Sequence, residues 1–326
     1  MVPSFLYALL ASPIIFAAWR NMQKRQRRRK LIPKSQERVL ILGASAGIGR
    51  SMALQYAASG AKLCIVGRRQ ATLDTVKAEC LKSRLTAADD TSVLSVVADF
   101  TVPEDMVHVR SEVESVWGGL DTVVVCAGVS AIRPLLEVAG LKKPSSKHST
   151  AQVSSEEIQH TVDIVNQASK GNFTGPLIAA LTFIPLLQCT SPSPSILLIS
   201  SLAAIIPAPT RSVYAATKAS ALLLYQSLAI EHPAVCFSFV IPSTVEGDFR
   251  SSAVDRVEGE DVYLESDRKK SALSKDAVAK RSIQAVDSGE KYVFMPYLMG
   301  RTGQFLHWWF PWITEGIARK KYNFTP

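Results

Sequence analysis

The chain has 326 residues, 47% hydrophobic and 20% charged, enough to bury a large core and too apolar to be disordered. Its net charge of +9 is local: eight Lys and Arg lie between Arg20 and Lys34 without an Asp or Glu, which leaves +1 elsewhere and argues against a nucleic-acid groove. The five cysteines form no C-x-x-C pair and have no His at ligand spacing, so neither a structural metal nor a disulfide is expected.

Val2 to Trp19 is an uncharged, mostly apolar run. At about 1.5 Å per residue, a helix of that length crosses most of a thin bilayer. The basic residues follow this run instead of preceding it, which is the order of an uncleaved anchor. The positive-inside bias then places the basic segment and the domain after it in the cytosol. The expected layout is a membrane anchor over residues 1–19, a basic juxtamembrane linker over 20–37, an α/β domain over 38–298 and an aromatic, basic tail over 299–326.

Arg38–Leu42 reads as a short buried strand and runs directly into GASAGIGRSMALQYAASG. Gly43, Ser45, Gly47, Ile48 and Gly49 form a glycine turn between a strand and a helix. There the backbone can approach a pyrophosphate, and the helix N-terminus offers unpaired N–H groups. Gly43 to Gly47 also fits G-x-S-x-G, the elbow of an esterase-like hydrolase with Ser45 as nucleophile. That alternative needs an acid and a His downstream, and His307 is the only late histidine.

The second strand, Lys62–Val66, ends at Gly67-Arg68-Arg69 with no acid to accept from a ribose 2′-hydroxyl. Two guanidiniums there suit a 2′-phosphate, so NADP(H) is expected over NAD(H). Val93–Ala98 leads to Asp99, which can accept from an adenine amino group, and Thr122–Val125 leads to Ala127 and Gly128, small enough for a ribose to pack closely. The Ser- and Lys-rich stretch between Arg133 and Lys170 reads as an inserted surface loop.

Ile196–Ser200 is a fifth strand ending at Ser201. Tyr214 and Lys218 then fall four residues apart in a helical stretch, on one face. An ammonium near a phenol favours phenolate, and such a phenol can exchange a proton with a substrate oxygen that Ser201 also hydrogen-bonds. Val235–Ile241 and Tyr292–Met295 complete a sheet of about seven strands. The tail, FLHWWFPWITEGIARKK, combines aromatic and basic residues in the way that suits a bilayer headgroup region, with a flap over the core or a dimer contact as the alternative.

The order of glycine turn, Asp99, Ala127-Gly128, Ser201 and Tyr214-x-x-x-Lys218 resembles the short-chain dehydrogenase/reductase family from about Arg38 to Pro296. The resemblance implies a single doubly wound Rossmann domain with a parallel sheet. It also implies catalysis by Asn172, Ser201, Tyr214 and Lys218, with hydride from NADPH and the proton from Tyr214. In GNFTGPLIAALTFIP the family's N-x-x-G and downstream Pro align with Asn172, Gly175 and Pro185, so Asn172 is preferred to Asn166 as the residue that holds a relay water. The chain departs from the family's N-N-A-G with Val125-Cys126, and its P-G-x-x-x-T loop reads Pro242 to Gly247, which leaves Thr244 and Val245 on the nicotinamide side. Ser251–Ala277 would contain the mobile helix pair that covers substrate. The anchor and basic segment are most similar to the membrane-bound hydroxysteroid-dehydrogenase-like subgroup. That similarity implies an endoplasmic-reticulum location, a lipophilic ketone or alcohol as substrate, and allows a homodimer. The rival is a nucleotide-binding membrane scaffold without chemistry, against which the complete Ser201, Tyr214 and Lys218 set argues.

Overall fold

The computed structural model describes residues 28–84, 91–141, 152–257, 272–322 and Phe324. The expected anchor, most of the basic linker, part of the insertion and most of the helix pair over the substrate lie outside those residues.

Seven strands form one parallel sheet: β1 (Arg38–Leu42), β2 (Lys62–Gly67), β3 (Val93–Val97), β4 (Thr122–Val125), β5 (Ser195–Ile199), β6 (Cys236–Pro242) and β7 (Tyr292–Met295). Their spatial order is β3-β2-β1-β4-β5-β6-β7, every neighbouring pair parallel. β1, β4, β5 and β6 are apolar on both faces because helices cover both sides, so these strands read as continuous Val, Leu and Ile runs instead of alternating. The helices are α1 (Gly47–Ala58), α2 (Gln70–Ser83), α3 (Pro103–Trp117), α4 (Ser155–Ser169), α5 (Gly175–Thr190), α6 (Ser212–Glu231), α7 (Lys275–Ser288), α8 (Tyr297–Trp309) and α9 (Pro311–Lys321). One core, with Val113, Phe183 and Leu187, fills the α3–α5 side; the other, with Met52, Tyr56 and Val286, fills the α1–α7 side. The order reverses between β1 and β4, which opens a crevice at the carboxyl ends of the strands.

Two expectations are corrected. Half of the presumed surface loop is helix: α4 starts at a capping box in which Ser154 accepts from Glu157 N–H while the Glu157 carboxylate accepts from Ser154 N–H. That signal stood in the sequence and was masked by the polarity around it. The linker is also not free. Arg28 reaches into the base of the sheet, donating to Glu37, Thr122, Ser193 and Ser195, while Arg29 and Lys34 pair with Asp287. Three of the eight basic residues therefore act within the fold and not at a headgroup surface.

Among the described residues, only Ser155–Thr190 is long and apolar enough to cross a bilayer. It is α4 and α5 joined by a wide π turn at Lys170–Thr174, and Ala179, Ala180, Phe183 and Leu187 of α5 lie in the core. It is a core helix and says nothing about the anchor.

Candidate active site

At the carboxyl end of β1 the chain turns at Gly43, whose φ of +90° suits a residue without Cβ. A Cβ there would also lie 2.7 Å from the Ala127 backbone, so the turn and the end of β4 pack directly on each other. Gly47, Ile48 and Gly49 form the first turn of α1, the end of a helix whose N–H groups lack partners within the helix. Ser45 lies beside Gly67 at the end of β2, and Arg68 and Arg69 follow, both exposed. The four residues border one corner of the crevice. Asp99 accepts from Thr101 N–H and Oγ1, at 3.0 and 2.7 Å. Burial pushes its carboxyl up, but the Thr101 bonds and the charges of Arg68 and Lys170 outweigh it, so Asp99 sits below the usual carboxylate range.

The second half of the crevice is built by α6, β5 and the π turn. Lys218 is buried and its Nζ donates to Ile199 O at the end of β5, 3.2 Å away. A Cβ on Gly128 would lie 3.1 Å from that Nζ and 2.7 Å from Asn172 Oδ1, so only glycine lets the three residues meet. Tyr214, one helical turn before Lys218, is buried in a cluster with Ala131, Ala203 and Val254. Ser201 caps the short turn that contains Ala203, its Oγ accepting from Ala203 N–H, which puts Ser201 next to that cluster. Lys218 thus meets the segment after β4 on which the glycine turn packs, with Tyr214 one helical turn before it.

The chain from Glu37 to Val257 matches the family profile described as short chain dehydrogenase. The chain belongs to the short-chain dehydrogenase family. Its curated relatives include 11-beta-hydroxysteroid dehydrogenase-like 4A of Arabidopsis thaliana, 32% identical over 209 residues, or 64% of this chain and 60% of that one. The chain thus spans less than two thirds of that relative's length. It is also similar to 11-beta-hydroxysteroid dehydrogenase A of Sesamum indicum, 27% identical over 88% of this chain and 76% of that one. These names agree with the subgroup the sequence resembled. A short chain dehydrogenase/reductase from Burkholderia phymatum, in complex with NAD, shares the fold at a TM-score of 0.67 and 18% identity, over 83% of this chain and 93% of that one. An alcohol dehydrogenase from Thermococcus sibiricus, complexed with 5-hydroxy-NADP, does so at 0.61 and 20%, over 79% and 95%.

Within this short-chain dehydrogenase, the Asn172 side chain is held by the protein. Its Nδ2 donates to Val129 O and Thr217 Oγ1, both at 3.0 Å, and its Oδ1 accepts from Val129 N–H at 2.9 Å. The side chain therefore pins the segment after β4 to α6. Cys126, in place of the family's Asn, accepts from Gly49 N–H near Lys218. Burial pushes its thiol up to about 11 against both influences, so it stays neutral. Val245 pairs with Leu273 and packs in the cluster with Ile48 and Cys126, on the glycine-turn side. Three neighbours of Tyr214 escaped the sequence reading: Phe249, edge-on at 6.0 Å; Arg211, over the ring at 4.3 Å; and Thr217, which fixes Asn172. Spacing marks Arg211 and Thr217, three residues to either side of Tyr214 and so on its face, but not Phe249. The hydrolase alternative finds no support here: His307, on α8 after β7, turns its Nδ1 to Thr314 Oγ1 at 3.3 Å.

Proposed function

We propose that this protein is an NADP(H)-dependent oxidoreductase that interconverts a ketone and a secondary alcohol on a lipophilic substrate, held at a membrane with its domain in the cytosol. The observation that carries the reading is the meeting of Gly128, Asn172 and Lys218 beside a buried Tyr214 at the crevice below the glycine turn. The cradle fits a phosphorylated dinucleotide: close glycine packing leaves room for backbone N–H groups to meet the diphosphate, and Ser45, Arg68 and Arg69 supply donors for a 2′-phosphate. When bound, NADPH supplies the hydride.

The chain's own residues handle the proton and the oxygen. Ser201, at the end of β5, hydrogen-bonds the substrate carbonyl, and the Tyr214 hydroxyl gives it a proton as the alkoxide forms. Lys218 places a cation one turn away and, anchored on Ile199 O, has further N–H groups for the nicotinamide-side ribose. Asn172 keeps Val129, and with it Gly128, from moving away from that lysine. The apolar, aromatic tail beside the crevice supports a lipophilic substrate: α8 packs close on Ile206, five residues after Ser201.

The deciding experiment follows NADPH oxidation with a panel of lipophilic ketones in the wild type and in Tyr214→Phe. The variant is expected to lose about 10²- to 10⁴-fold in kcat with its fold intact, the range of a missing general acid. Equal rates in the two proteins would remove the proton-transfer role, and no turnover in the wild type with any ketone would favour the scaffold reading.

A further inference from the structure

The glycine turn, the Tyr214–Lys218 pair and Asn172 leave one charged group at the crevice unexplained. Arg211 follows Thr210, whose φ of +63° is a left-handed conformation that β-branched residues rarely adopt. Arg211 is itself the residue before α6, three positions ahead of Tyr214, and its side chain folds back along that face. Its guanidinium carbon lies 4.3 Å from the centroid of the Tyr214 ring. The other side of the group is tied down: Nη1 donates to Ser130 Oγ at 3.1 Å and to Ala131 O at 2.8 Å, in the segment after β4.

No described carboxylate forms an ion pair with this guanidinium. Asp255, the acid in its surroundings, directs both oxygens at Ile132 N–H, at 3.0 and 2.8 Å, and one of them also at Arg133 N–H, at 2.8 Å. A cation held over an aromatic face and not neutralised by a partner acts on that ring. Phe249 closes the edge of the same ring, so Tyr214 has a cation on one face and an aromatic wall beside it.

We propose that Arg211 is a positioning residue for Tyr214: it fixes the orientation of the phenol and stabilises the negative charge that the ring carries once its proton has left. The proposal rests on the reading of Tyr214 as the proton donor. The other groups around the pair are Lys218 on the same helix, Cys126 next to Lys218 from the end of β4, Arg250 and Asp255 from the segment after β6, and Tyr322 at the end of α9. Burial disfavours the Arg211 charge, as does Arg250, while Tyr214, Tyr322 and Asp255 favour it; the balance leaves the group below the ordinary arginine range. Arg211 therefore sits in a setting where its charge counts more than on an open surface.

The test is a pH–rate profile for reduction of phenanthrenequinone, a generic apolar dicarbonyl, by NADPH. It compares the wild type with Arg211→Met and Arg211→Lys, alongside an ultraviolet phenolate titration read as the difference from Tyr214→Phe. Loss of the cation retains the phenol to higher pH. Arg211→Met is expected to move the midpoint up by about one pH unit and lower kcat about tenfold, with KM for NADPH unchanged. Arg211→Lys, which keeps the charge without the planar stack, restores most of the midpoint and only part of kcat. An unchanged midpoint in Arg211→Met, with the loss confined to KM or to thermal stability, would overturn the proposal and leave Arg211 as a tie between α6 and the Ser130 segment. Should Arg211→Met not fold, Arg211→Gln keeps a donor for Ala131 O without the charge and reads the same midpoint. Failure of the underlying reading shows separately, as a Tyr214→Phe enzyme that reduces the quinone at the wild-type rate.

Discussion

Arg68 and Arg69 both stand exposed at the end of β2, just after Gly67, which packs beside Ser45. Arg68 also acts on Asp99, so its charge reaches from the end of β2 to the end of β3. Charge-assisted bonds of this kind contribute about 1.5–3 kcal/mol each. Replacing both arginines by alanine is expected to raise KM for NADPH by roughly 10- to 100-fold while changing KM for NADH by less than about threefold. Steady-state kinetics with the two cofactors checks this, and parallel losses for both would remove the NADP preference. Gly43 and Lys218 declare themselves by motif, whereas Phe249 matters only through what it touches, and nothing in its flanking residues announces it.

Among elements, the arm before β1 differs most from its reading as a linker. Glu37 is buried at the base of the sheet, where it meets Arg28 at 3.0 Å, Lys34 at 2.6 Å and the Thr122 hydroxyl at 2.7 Å. Burial alone would push the Glu37 carboxyl up; the charges of Lys34 and Arg28, with bonds from Lys34 and Thr122, outweigh it and hold the group below the ordinary glutamate range. Because the folded value is depressed, this carboxylate stabilises the fold at neutral pH, and the contribution is lost as pH falls from the ordinary glutamate range through the folded value. Glu37→Gln leaves Arg28 and Lys34 without their shared anion and is expected to cost about 3 kcal/mol, read as a lower urea midpoint at neutral pH. The variant's stability should also change less than the wild type's on acidification below the glutamate range. Equal acid sensitivity in the two proteins would place the titrating group elsewhere. The arm looked like a membrane-facing charge run because sequence shows charge and not its partners: Thr122, Ser195 and Asp287 are between 94 and 258 positions away.

For the molecule as a whole, the tail leaves its aromatic side chains on the surface. α8 and α9 form a hairpin on which Trp308, Trp309 and Trp312 are 78%, 68% and 65% exposed, and the last turn carries Arg319, Lys320 and Lys321. An apolar surface of that kind is costly in water, and the aromatic–basic mixture suits the bilayer interface. The hairpin also borders the crevice, with α8 on Ile206 and Tyr322 within electrostatic reach of Arg211. Reconstituted in phosphatidylcholine vesicles with a minor anionic lipid, the full chain is expected to show tryptophan emission quenched by brominated acyl chains. Replacing Trp308, Trp309 and Trp312 by serine should remove most of that quenching. Emission that lipid bromine leaves untouched, together with a dimer that the serine variant abolishes, would assign the face to a second copy of the chain.

By itself the sequence determined the doubly wound sheet, the glycine turn and the Tyr214–Lys218 spacing, because each depends on neighbours within one helix turn or one strand–turn–helix unit. It also carried the Ser154–Glu157 cap of α4, a local signal outweighed by the polar residues around it. Only the tertiary structure decided that Arg28 belongs to the base of the sheet, that Asn172 holds Val129, and that Arg211 lies over Tyr214. Those are contacts between segments far apart in the chain, and what brings them together is the packing of buried apolar faces, which leaves no periodic trace at the polar residues it juxtaposes.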